Sequence, residues 1–206
     1  MKNNKTINRI IKNNNQSFEL TTPQQNRIYR RPDNEYQKTP DSYEIYIYDD
    51  IGSPSEYIEE IALLGDLESG DDVYIRLATG GGRIDGAIAL IHALLYCKAK
   101  TIAVADSDVG SAGTLLFFAC GEMHIKPFST MMFHVASSMI GGKISESAKQ
   151  ISSTLKLVEK LMRNLYIPYL TDDEVDGLMS GIDLYLDSDE VQERLIANGC
   201  GIEEND

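Results

Sequence analysis

From residue 43 onward the chain alternates β-prone stretches with helical ones, and this alternation restricts its fold more than any other feature. Tyr43-Glu44-Ile45-Tyr46-Ile47-Tyr48 is rich in β-branched and aromatic residues and reads as a strand. Residues 54–64 read as a helix. Residues 72–78 form a second strand that ends in Thr79-Gly80-Gly81-Gly82. Residues 84–97 follow as a helix, with Ile84, Ala87, Ile88, Ile91 and Leu95 at spacings of three and four. Residues 100–105 are a third strand. Ser111 opens a short, very apolar helix from Ala112 to Cys120, stopped by Gly121. Strands are expected over 123–125 and 130–135, and helices over about 145–165, after Thr171, and over 188–198. Strands alternating with helices predict an α/β fold with largely parallel pairing.

The 145–165 stretch has its own pattern. Ile151, Leu155, Val158, Met162 and Leu165 step by four and three, a heptad-like seam. Thr171-Asp172-Asp173-Glu174 has the spacing of a capping box.

Charge divides the chain. Residues 1–43 hold 8 basic and 4 acidic side chains, and the remainder holds 11 and 28. A polar segment of +4 thus precedes a body of −17, within a total of −13. Residues 1–43 are expected to be a polar N-terminal tail, either an axial or a pro-segment, and 44–206 one folded domain. The acidic balance argues against a nucleic-acid partner. Cys97, Cys120 and Cys200 are too few and too scattered for a disulfide framework or a zinc site, which points to a reducing, cytoplasmic setting. No stretch approaches the ~20 apolar residues of a membrane span.

Three features could carry chemistry. Gly80-Gly81-Gly82 is either a simple strand-to-helix turn or a set of exposed N–H groups for an oxyanion. It is not a P-loop, because no Gly-Lys-Ser/Thr follows. Gly110-Ser111-Ala112-Gly113 places a serine at a strand–turn–helix junction, as a helix cap or as a nucleophile. His134, in Met131-Met132-Phe133-His134-Val135, is either a core histidine or the base that such a serine needs. His92 reads as structural, and His124 shows no obvious partner. Composition cannot choose an orienting carboxylate among the 32 acidic residues, but Asp183 is one of few set between apolar neighbours, in Gly181-Ile182-Asp183-Leu184-Tyr185-Leu186.

In this order, the landmarks resemble those of the Clp peptidase (ClpP) family from Tyr74 through Gly199. Thr79-Gly80-Gly81-Gly82 sits where the family has Ser-Pro-Gly-Gly, and Gly110-Ser111-Ala112-Gly113 where it has Ala-Ser-Met-Gly. Met132-Phe133-His134 matches Met-Ile-His, and Gly141-Gly142 precedes the long helix as in the family. Asp183-Leu184-Tyr185-Leu186 matches Asp-Arg-Phe/Tyr-Leu. Gly80, Ala136 and Leu184 depart from the pattern, the loop over 121–123 is shortened, and the N-terminal region has no counterpart; the chain resembles a divergent member.

The resemblance implies a ClpP/crotonase-like spiral of ββα units with a protruding handle helix. It implies a serine endopeptidase with a Ser111–His134–Asp183 triad and no cofactor or metal. The oxyanion hole would be the N–H groups of Gly82 and Ala112. An extended peptide would pair with Gly81, Arg83, Ile84, Met139, Gly141 and Gly142. Family members form two stacked heptameric rings, with the 145–165 helix packing between them, and work on unfolded polypeptides with an AAA+ unfoldase. Two alternatives accompany this reading: a catalytically silent ring or scaffold component, and a crotonase-like acyl-CoA enzyme.

Overall fold

A computed structural model of the chain describes residues 28–30, 42–135, 144–167 and 169–200. One mixed sheet of seven strands organises it: β1 (Ile28–Arg30), β2 (Ser42–Ile47), β3 (Asp72–Thr79), β4 (Lys100–Gly110), β5 (Glu122–Ile125), β6 (Thr130–Phe133) and β7 (Leu184–Asp187). Among the described residues six α-helices accompany it: α1 (Ile58–Asp66), α2 (Ile84–Tyr96), α3 (Ala112–Phe118), α4 (Ile144–Tyr166), α5 (Asp172–Met179) and α6 (Ser188–Ala197). The α/β fold expected from the alternation is the one formed.

The order is β1-β2-β3-β4-β6-β7, with β5 also on β4. Pairing is parallel from β2 through β6 and antiparallel at both ends. Because β1 pairs with β2, the sheet starts upstream of residue 44, where the folded domain was expected to begin.

β4 positions the site. It runs 11 residues rather than the six expected. Its first half pairs with β5 through Ile102–Ala105, and its last residues, Val109 and Gly110, pair with β6. One strand therefore delivers both Ser111, directly after its end, and the register of β6, which carries His134 just beyond its own end.

The core draws buried side chains from the sheet and from all six helices. Val73, Ile75 and Leu77 alternate inward from β3, and every residue of α3 is buried. On α2 the buried face is Ala87, Leu90, Ile91 and Leu94, whereas Leu95 is 56% exposed. The spacing predicts one face of Ile84, Ala87, Ile88, Ile91 and Leu95, of which Ala87 and Ile91 are buried and Leu95 is not. Both sets fit a 3.6-residue period, and packing of α2 against α1 and α3 selects between them. The α4 seam is buried at Val158, Met162 and Leu165, while Leu155 is exposed. The Thr171 capping box forms: Thr171 Oγ1 accepts from the Glu174 N–H at 3.2 Å, and Glu174 accepts the Thr171 N–H at 2.8 Å.

Candidate active site

Ser111 connects β4 to α3 at φ 52° and ψ −123°, a left-handed conformation that a side chain adopts only when its surroundings hold it there. Here both sides hold it. The Ser111 N–H donates to the Met132 carbonyl at 2.8 Å. Its carbonyl accepts from the Thr114 N–H at 3.1 Å and from Thr114 Oγ1 at 2.6 Å. Ser111 occupies the N-cap position of α3, yet its side chain makes no capping bond. The hydroxyl instead lies 2.7 Å from His134 Nε2. That geometry separates the two readings of the serine, since a capping residue turns its oxygen toward the helix N–H groups.

His134 is half-buried, immediately after β6. Of the other histidines, His92 is exposed on α2, and His124 pairs at 2.9 Å with Glu122, two residues before it on β5. Asp183 immediately precedes β7, and the final β6–β7 pair is Phe133 with Leu184. His134 and Asp183 thus leave adjacent strand ends. The Asp183 side chain is exposed and, among the described residues, hydrogen-bonds to no other group.

The glycine-rich turn lies against the serine. Gly81 has φ +105°, and a Cβ there would fall 2.6 Å from Ser111 Cβ and 3.0 Å from the Ala112 nitrogen. Only glycine permits that backbone and that approach. Thr79 organises the turn. Its hydroxyl donates to the Asp49 carbonyl at 2.7 Å and accepts the Gly81 N–H at 3.1 Å. Ile51 bridges Gly82 in parallel, with its N–H donating to the Gly81 carbonyl at 2.6 Å and its carbonyl accepting from the Arg83 N–H at 2.7 Å. In such a bridge the N–H and carbonyl of Gly82 itself point to the opposite edge. Among the described residues neither the Gly82 N–H nor the Ala112 N–H has a partner outside helix and strand pairing. Ala112 is the first residue of α3, where the N–H has no partner within the helix.

The Arg83 guanidinium forks onto Asp85 at 2.7 and 3.0 Å, and Ile84 begins α2, half-buried. Met139, Gly141 and Gly142 lie outside the described residues. Among the described residues no cluster of three or more His, Cys, Asp or Glu side chains could hold a metal, and no helix is long and apolar enough to cross a membrane.

Two contacts carry no local sequence signal. Thr79 reads in the sequence only as the end of a strand. Thr114 meets the Tyr166 hydroxyl at 2.7 Å across 52 residues of chain, a distance over which no local pattern operates.

The model of the Clp protease family matches residues 30–180, which include Ser111, His134 and the glycine-rich turn. By that match, over most of its length, the chain belongs to the Clp protease family.

Proposed function

We propose that the chain is a serine endopeptidase that cleaves unfolded polypeptides. The observation that supports this most directly is the 2.7 Å contact between Ser111 Oγ and His134 Nε2 on a serine held at positive φ. Ser111 Oγ attacks the scissile carbonyl carbon while His134 Nε2 takes its proton. The tetrahedral oxyanion is received by the N–H groups of Gly82 and Ala112, each worth roughly 3 kcal/mol of transition-state stabilisation. His134 then returns the proton to the leaving amine, and water repeats the sequence on the acyl-enzyme. Asp183 turns from solvent to accept a hydrogen bond from the His134 Nδ1–H and orient the imidazole, with the proton staying on the ring. The edge that Gly82 presents pairs with the substrate backbone as an added strand, together with Gly81, Arg83 and Ile84 and, beyond the described residues, Met139, Gly141 and Gly142.

Clp proteases generally form rings that enclose the active sites and receive substrate from unfoldases. For this chain we propose a homo-oligomeric ring chamber, with an AAA+ unfoldase as its partner. A reactive Ser–His pair is not the carboxylate arrangement that an acyl-CoA enzyme would need. A silent ring component is the second reading, favoured by one observation, the solvent-exposed and unbonded Asp183 carboxylate. A fluorophosphonate probe separates the two. Labelling of the wild type that Ser111→Ala abolishes supports the peptidase. Equal labelling of both proteins, or of neither, overturns it.

A further inference from the structure

Behind the nucleophile lies a hydrogen-bond chain that the triad does not use. Thr114 is 0% exposed, and Tyr166, the last residue of α4, is 1% exposed. Thr114 Oγ1 donates its only proton to the Ser111 carbonyl at 2.6 Å. Its contact with the Tyr166 hydroxyl, at 2.7 Å, must therefore take its proton from the phenol. The sequence of donors is Tyr166 O–H to Thr114 Oγ1, then Thr114 O–H to Ser111 C=O. Burial raises the Tyr166 pKa, which keeps the phenol protonated as that donor.

The acceptor at the end of this chain is not an arbitrary carbonyl. The Ser111 C=O and the Ala112 N–H belong to one planar peptide unit and point in opposite directions. Fixing the carbonyl fixes where the N–H points. Polarising the carbonyl in a dry interior also makes the N–H a stronger donor.

We infer that Tyr166 and Thr114 are positioning residues that aim and polarise the Ala112 N–H toward the oxyanion. This rests on the peptidase reading above. A purely structural role for the pair would satisfy two buried hydroxyls and no more. The two roles separate in kinetics, because an oxyanion donor acts in the transition state and not on substrate binding.

The test is steady-state hydrolysis of a fluorogenic peptide by the wild type, Thr114→Val, Thr114→Ser, Tyr166→Phe and the Thr114→Val/Tyr166→Phe double variant. Each is also melted. Thr114→Val is expected to lower kcat about tenfold with KM unchanged, and Tyr166→Phe about threefold, since each weakens a donor whose full removal costs about 100-fold or more. Thr114→Ser keeps the hydroxyl and recovers most of the lost kcat. Thr114→Val leaves the Tyr166 hydroxyl buried and unpaired, and so lowers Tm. The double variant removes both partners and regains Tm, but kcat stays low. If kcat recovers together with Tm, or if Thr114→Val turns over like the wild type, the positioning role is overturned and the peptidase stands. A wild type inert to both the peptide and a fluorophosphonate overturns both readings.

Discussion

Phe133 and Leu184 form the last pair of the antiparallel β6–β7 ladder, so His134 and Asp183 emerge from the sheet side by side. No sequence spacing would bring them together, since 49 residues separate them. Asp183→Asn is expected to lower kcat by about 10⁴-fold, the scale seen when a triad carboxylate can no longer hold the histidine tautomer. Peptide turnover is the measurement. An Asp183→Asn enzyme with wild-type kcat would mean that Ser111 and His134 act as a pair.

Gly81→Ala is expected to inactivate without unfolding the sheet. The added methyl would arrive 2.6 Å from Ser111 Cβ on a backbone at φ +105°. Both effects push the turn away from the serine, and misplacement by about 1 Å can cost on the order of 100-fold. Labelling by fluorophosphonate should slow by at least that much, with the far-UV spectrum unchanged. Rapid labelling would show that the turn need not touch Ser111.

Glu60 on α1 is only 2% exposed, and its Oε2 has no partner. Burial raises its pKa above the ordinary carboxylate range. A carboxyl whose folded pKa is raised destabilises the fold increasingly as pH rises through the unfolded value toward the folded one. Glu60→Leu should therefore stabilise by about 1–2 kcal/mol at neutral pH, with the gain shrinking near pH 4. Thermal melts at both pH values test this, and a Glu60→Leu variant with a lower Tm at neutral pH would contradict it.

Glu174 and Arg194 join α5 to α6 through two hydrogen bonds of 2.8 and 2.9 Å. The Arg194 guanidinium, followed by the Thr171 N–H, holds the Glu174 carboxyl down at about 2. A depressed folded pKa gives stability that is complete above the ordinary value of 4.5 and lost as pH falls toward 2. Solvent reaches both side chains, so the contribution is no more than about 1 kcal/mol. Glu174→Gln should lower Tm at pH 7 and converge with the wild type near pH 2. Parallel melting curves over that whole range would contradict the assignment.

Residue order by itself determined most of the elements, but not β1 or β7. Alternating apolar residues in β3, the Thr171 box at α5 and the serine between two glycines are local patterns. Local patterns survive in one dimension because they depend on neighbours within about four residues. For the same reason, the candidates Ser111, His134 and Asp183 could be picked out one by one. The full length of β4 was not legible: Asp106, Ser107 and Asp108 are polar and lie between the paired residues Ala105 and Val109, and Arg76 of β3 anchors this stretch through its Nε, which reaches Asp106 at 2.7 Å. Nor could the sequence choose the inner face of α2.

Only the tertiary structure decided that Ser111 faces His134 rather than capping α3, and that Thr114 and Tyr166 share a hydrogen bond behind it. The physical reason is the split pairing of β4. By bonding β5 with its first half and β6 with its end, one strand brings the Ser111 turn beside the end of β6. That register is a property of the assembled sheet, and no stretch of the sequence carries it alone.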